Sequence, residues 1–255
     1  MINCCNFFSG PAYYFKINRF MKKIILLLSI VAFGTAGMAQ TINDPNAEVR
    51  EAKNFQAIDI SNAFDLYLTQ GNEESIAVSA SEPKYRDDIR VEVKGDVLVI
   101  KYDGKGKWMS GNKKLKAYVS FKQLNKIDVS GACDVYIVGD WKTENLKMVL
   151  SGASNLKGKI EAQKLMVNLS GASDITLSGS AGQLDVRASG ASDFKGYDLA
   201  VEYCEAKASG ASDIKITVNK ELTAEASGAS DVKYKGTGMI RDIKMSGSSK
   251  VSRRS

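Results

Sequence analysis

Histidine is absent from this 255-residue chain. That excludes Ser-His-Asp and Cys-His nucleophilic sites, histidine general bases and any His-ligated metal. Proline is scarce, with three residues against 22 glycines, a balance that suits tight turns between strands rather than stiff linkers. Aromatics make up 8%. Charge of one sign is also nearly lacking. The formal +6 includes Lys16, Arg19, Lys22 and Lys23, with no acid among residues 1–39; without them 31 basic face 29 acidic residues. The pI near 9.0 therefore gives little reason to expect a nucleic-acid partner. Of four cysteines, Cys4 and Cys5 lie at the extreme N-terminus, leaving Cys133 and Cys204. No apolar run reaches the roughly 20 residues of a membrane-spanning helix.

The longest apolar run, Ile24–Phe33, is broken only by Ser29 and follows Met21-Lys22-Lys23. Small residues at Gly37 and Ala39 complete a secretory signal peptide over 21–39, with cleavage before Gln40. Residues 1–20 would bury that signal, so Met21 is the expected start and 1–20 a mis-assigned extension. No cysteine follows the cut, so a lipid anchor is not expected. The sequence divides into an N-terminal segment, 40–54, and one domain, 55–255. The expected location is the periplasm, the cell surface or beyond, with no membrane span after cleavage.

What the chain has in abundance is a repeat. Ser130-Gly131-Ala132-Cys133-Asp134 is followed by Ser151-Gly152-Ala153-Ser154-Asn155 and by SGASD copies starting at Ser170, Ser189, Ser209 and Ser227. A worn copy begins at Ser246, and a degenerate one, Ser61-Asn62-Ala63-Phe64-Asp65, lies far upstream. From 130 onward the steps run from 18 to 21 residues. Before each motif, apolar residues alternate with polar ones, as in Leu165, Val167 and Leu169, and an apolar residue returns five places after the motif serine. That is the period of strands with one buried face, about five residues long before each corner.

A parallel β-helix with coils of about 19–20 residues fits this pattern, because Gly and Ala allow stacked corners to turn tightly. A membrane barrel fits less well, since its strands need about 9–11 residues and an aromatic girdle. Cys133 and Cys204 then lie three or more coils apart, roughly 14 Å, too far for a disulfide. Residues 55–125 form a less regular β region, with strands expected at Ala57–Ile60, Asp65–Leu68, Ile76–Ser79, Ile89–Val93, Val97–Tyr102 and Leu115–Phe121, and turns at Gly71-Asn72 and Gly95-Asp96.

The stretch Phe55-x-x-Ile58, Phe64-Asp65-Leu66-Tyr67-Leu68-Thr69-Gln70-Gly71, Val97-Leu98-Val99-Ile100 and Val129-Ser130-Gly131-Ala132 resembles the putative auto-transporter adhesin, head GIN domain family. The resemblance covers about 50–255. It implies an exported protein, a right-handed β-helical fold and an adhesin-like role, and it brings no catalytic motif. The chain shows no long passenger array or C-terminal barrel, so self-export across an outer membrane is not expected.

Two groups of residues give three candidate sites. The first is a row of aspartates: Asp134, Asp174, Asp193, Asp213 and Asp231, with Asn155 in register. Carboxylates stacked about 4.8 Å apart repel by about 0.9 kcal/mol per pair in water, so something must offset them. Hydrogen bonds from each corner's own amides would do so and give the row a structural role beside Gly131, Gly152, Gly171, Gly190, Gly210 and Gly228. A row of hard oxygen ligands for Ca²⁺ is the alternative. The second reading takes the same carboxylates as the site of a β-helical glycan lyase or hydrolase, but such enzymes wall their clefts with inserted loops and these steps leave no room. The third is the basic stretch around Trp108, with Lys105, Lys107 and Lys113, a candidate contact for an anionic glycan or surface. The expected protein is a non-enzymatic envelope or surface adhesin-like module or scaffold without cofactor. Its expected partners are a glycan or a surface protein, with self-association through open coil edges open to it.

Mass spectrometry of the exported protein should find an N-terminus at Gln40. A chain that retains residues 21–39 would refute the signal-peptide reading.

Overall fold

The chain divides into two compact units, Met1–Ala39 and Gln40–Ser255. A computed structural model describes residues 44–104 and 113–254, all in the second unit. In chain order the irregular part comprises β1 (Glu48–Arg50), β2 (Ala57–Ile60), β3 (Phe64–Gln70), β4 (Ser75–Ser79), the short helix α1 (Pro83–Asp87), β5 (Ile89–Lys94), β6 (Val97–Tyr102), β7 (Leu115–Phe121) and β8 (Lys126–Val129). The repeats form β9 (Asp134–Leu150), β10 (Asn155–Leu169), β11 (Asp174–Ala188), β12 (Asp193–Ala208) and β13 (Asp213–Ala226). The chain ends in β14 (Asp231–Lys235), β15 (Met239–Met245) and β16 (Lys250–Arg253). All the expected upstream strands form, some a residue or two longer; β1, α1 and β8 were not foreseen.

The strands stack in parallel as a β-solenoid, β9 on β10, β10 on β11, β11 on β12 and β12 on β13, with every motif in register. Parallel pairing separates this architecture from a membrane barrel, whose neighbouring strands are antiparallel. One expectation needs correcting. From β9 to β13 the chain does not break into five-residue strands; each repeat there is a single strand of 14 to 17 residues that bends with local slips in its ladder, while the last repeat splits into β14 and β15. Length differences between coils are absorbed at that bend, where the register slips between Lys157 and Lys159 and between Thr176 and Ser178. The residues next to each corner keep strict register.

The corners explain the motif. Gly131, Gly152, Gly171, Gly190, Gly210, Gly228 and Gly247 all have φ between +73° and +87°, a region that side chains disfavour. A Cβ on Gly190 would also sit 2.5 Å from the Gly171 carbonyl oxygen. The next residue's N–H donates to that same carbonyl one coil back, Ala191 to Gly171 at 2.8 Å, and the pattern recurs along the stack. Asn62, at φ +89°, fills the place beneath Gly131, so the degenerate copy at 61–65 is a true corner.

The second motif serine turns inward. Ser154, Ser173, Ser192, Ser212 and Ser230 are fully buried, and each donates its hydroxyl to the carbonyl of its own corner's first serine at 2.8 to 3.0 Å. A buried hydroxyl would otherwise cost about 1–3 kcal/mol. Cys133 opens this column and Cys204 sits in a column of leucines; both are buried free thiols.

The upstream coils are threaded out of order. β2 lies between β6 and β8, and β3 between β7 and β9. The coil containing β6 and β7 thus lies outermost, covered by antiparallel β5, β4 and β1. Trp141 and Phe121 close the core there, with ring centroids 5.0 Å apart. At the far end β15 and β16 are the last strands. Met239, Ile240 and Met245 are exposed, while an irregularity at Arg241 and the charges of Asp242 and Lys244 blunt that edge.

Replacing Gly190 by Ala combines backbone strain with a backbone clash and should cost about 3 kcal/mol or more. Gly139 has the same backbone region, φ +80°, but open space around it, so Gly139→Ala should cost only about 1–2 kcal/mol. Equal losses in chemical denaturation would show that the stacked contact is not what fixes glycine in the corner.

Candidate functional site

Strict register beside the corner builds one flat outward face from two columns. The first runs Lys116, Asp65, Asp134, Asn155, Asp174, Asp193, Asp213, Asp231 and Lys250, so a lysine bounds the aspartate row at each end. The second, two residues further along each strand, holds Tyr118, Tyr67 and Tyr136 and then Lys157, Thr176, Lys195, Lys215 and Lys233. Alternation places both columns on the same side of the sheet.

The lysine column offsets the repulsion within the aspartate row. Lys195 Nζ lies 2.8 Å from Asp174 and 3.4 Å from Asp193, and Lys233 lies 2.8 Å from Asp231 and 3.6 Å from Asp213. Lys215 lies 3.5 Å from Asp213. These pairs are exposed and worth at most about 1 kcal/mol each, enough to balance neighbouring carboxylates but not to drive folding. The hydrogen bond from Lys195 to Asp174 raises the lysine's pKa, and the bond to Asp231 does the same for Lys233. At the row's start, burial and the carboxylate of Asp134 push Asp65 up, partly countered by Lys116.

The expectation that corner amides hold these aspartates is therefore replaced. The corner N–H groups donate to backbone carbonyls of the preceding coil, as Asp174 does to Ser154 at 2.9 Å and Ala172 to Gly152 at 2.7 Å. Among the described residues no group of three His, Cys, Asp or Glu side chains converges as a metal centre.

The face is interrupted at one place. Asn155 is the one amide in the aspartate row, and Thr176 the one short side chain between lysines in the second column, which ends in Ser252. Around them lies an open trough of about 440 Å³, lined by Asp134, Tyr136, Asn155, Lys157, Thr176 and Lys195 among others. Asn155 Nδ2 donates to Asp134 Oδ1 at 2.8 Å. Because Asn155 is neutral, Lys157 lacks the carboxylate that Lys195, Lys215 and Lys233 each find two residues back, and it makes no ion pair among the described residues. Tyr67 stacks on Tyr118 and Tyr136 at 5.1 and 5.2 Å, with interplanar angles of 16° and 19°. Tyr136 ends that stack, with Lys157 beside it in the next coil, and borders the trough.

A smaller hollow of about 260 Å³ lies on the other outward face, near Gln183, Tyr203, Glu221 and Arg241. Its charges are already spent in pairs, Arg241 with Glu221 at 3.0 Å and Lys207 with Glu205 at 2.7 Å.

Of the basic stretch, Lys105, Lys107 and Trp108 lie outside the described residues. Lys113 is described: its Nζ lies 5.5 and 5.8 Å from the ring centroids of Tyr85 and Tyr102, and its carbonyl accepts the Ser81 N–H at 2.8 Å. It belongs to the packing of the outermost coil, away from the trough. The thiols are unsuited to chemistry: burial pushes Cys133 up to about 11 and Cys204 higher still. The tyrosine stack and the lysine column escaped the sequence reading, although position +6 from each motif serine spells them out: Tyr136, Lys157, Thr176, Lys195, Lys215, Lys233.

The fold is similar to known structures. A putative adhesin from Bacteroides fragilis superposes with a TM-score of 0.76 at 26% identity, covering 82% of this chain and 96% of that one. A putative lipid binding protein from Parabacteroides distasonis gives 0.63 at 20% identity, with 82% and 97% covered. A putative adhesin from Parabacteroides merdae gives 0.62 at 17% identity, with 82% and 95% covered. These last two establish the shared fold alone. No curated protein matches the chain. Residues 54–238 match the family that their upstream strands and first corner resemble, and the chain belongs to the putative auto-transporter adhesin, head GIN domain family.

Proposed function

We propose that the protein is an exported, non-enzymatic binding module of the adhesin type, displayed in the envelope or at the cell surface, that engages a glycan through the flat charged face. The observation that carries this reading is the trough at Asn155 and Thr176. A scaffold needs only the repeat; here two positions depart from it side by side, and the departure opens a trough of about 440 Å³ with unspent polar groups. Its mixed lining suits a hydroxylated ligand. The name of the similar Bacteroides fragilis structure agrees with an adhesin-like role.

A β-helical lyase or hydrolase fits these residues less well. Its carboxylates would need a role set apart from their neighbours. Here Asp174 is tied to Lys195 and Asp134 to Asn155, in a row that repeats the same group coil after coil. A calcium row is disfavoured for the same reason, because lysines already occupy the space between carboxylates.

The purified protein should retain a subset of glycans on an array, equally with and without millimolar Ca²⁺, and leave their chain lengths unchanged by mass spectrometry. Retention of no glycan would sink the reading, and shortened products would replace it with the enzyme.

A further inference from the structure

The trough's chemistry narrows the ligand. Resting on the binding-module reading above, we infer that this trough takes an uncharged, hydroxyl-rich sugar ring, packed against Tyr136 and hydrogen-bonded by Asp134, Asn155 and Lys157. Two features of the lining point there.

The first is charge. Lys157 and Lys195 stand against Asp134 and Asp174 around the hollow, two of each sign. An acidic sugar would gain from Lys157 but face Asp134, whose carboxylate is bonded to the Asn155 amide and, among the described residues, to no lysine or arginine. A cationic ligand would meet the lysines. A neutral ligand meets neither penalty, and mismatched charge is what discriminates between partners.

The second is the supply of unspent hydrogen-bonding groups. Asp134 Oδ2 accepts, the Lys157 ammonium donates three ways, the Asn155 amide both donates and accepts, and the Thr176 hydroxyl does either. Neighbouring coils space these groups about 4.8 Å apart, within reach of adjacent hydroxyls on one ring. The exposed part of Tyr136 at the trough's edge supplies the apolar contact that such a ring's C–H face requires. From the coil of Asp134 to that of Lys195 the trough runs about 14 Å, longer than one ring, so a chain can lie along it.

Both departures from the repeat are needed. An aspartate at 155 would pair with Lys157, as Asp193 does with Lys195, and consume both groups. A lysine at 176 would lie across the hollow, as Lys195 and Lys215 do in their coils.

The test repairs the repeat. Asn155→Asp and Thr176→Lys each restore the residue that neighbouring coils carry, so both variants should fold, Asn155→Asp with a slightly lower melting temperature because Asp134 loses its amide partner. Each should weaken retention of neutral glycans by about tenfold or more, equivalent to loss of one or two good hydrogen bonds. Tyr136→Ala should do the same. Wild-type protein should prefer neutral glycans over carboxylated or sulfated ones on the same array. If the repaired variants bind as well as wild type, the trough is not the site, although the binding-module reading survives. If wild type retains only acidic glycans, the ligand class is wrong. If it retains none, both readings fall.

Discussion

Everything regular about this molecule depends on how closely two corner glycines approach. The carbonyl of one glycine and the N–H after the next must meet at about 2.7 to 2.8 Å while the chain turns through positive φ. A Cβ would fall 2.3 to 2.8 Å from that oxygen at every stacked corner, so the side chain is excluded both by conformation and by space. Once the corners stack this tightly, the rest follows. The inward serine finds its own corner's carbonyl. The apolar residue after the motif reaches the core, and the outward residues beside the corner are held in strict columns.

Those columns turn sequence differences into surface chemistry. From Asp174 to Lys233, aspartate and lysine neutralise each other from coil to coil, leaving a polar but quiet surface. Asn155 changes little alone, since it still bonds to Asp134. Its effect is on Lys157, two residues along the same strand, which loses its carboxylate. Thr176 acts through length, opening a gap between two lysines. In the proposed site neither suffices without the other, and Tyr136 takes part because the tyrosine stack ends there.

Much of this was legible in the sequence because repetition averages out local ambiguity. The alternation around each SGASD copy marked the strands, and Gly and Ala marked the corners. Even the upstream strands appeared within a residue or two. Three things were not legible. The second motif serine reads as a small polar turn residue, and only burial reveals it as an internal hydrogen-bond column. The position of the bend cannot be seen when one strand runs through it with only a local slip of register, so continuous strands looked like short ones. Asn155 read as interchangeable with aspartate, because its consequence lies in the adjacent column. The basic stretch drew attention by composition, while the trough's charges are spread over four coils and never adjacent in the chain.

The out-of-order coil carries a consequence for how the molecule acquires its structure. Each repeat needs only its predecessor, 18 to 21 residues back. The strand pair β2–β3, by contrast, joins Asp65 to Asp134 across 69 residues, and its other edge to a segment that arrives between them. Closing that longer span costs only about 1 kcal/mol more entropy than closing one coil. The delay matters more. Until β6 to β9 have been made, β2 and β3 stand with both edges bare, and afterwards the remaining coils can add one at a time. The slow step of folding therefore belongs to the least repetitive part of the chain, and the copies that dominate the sequence are followers.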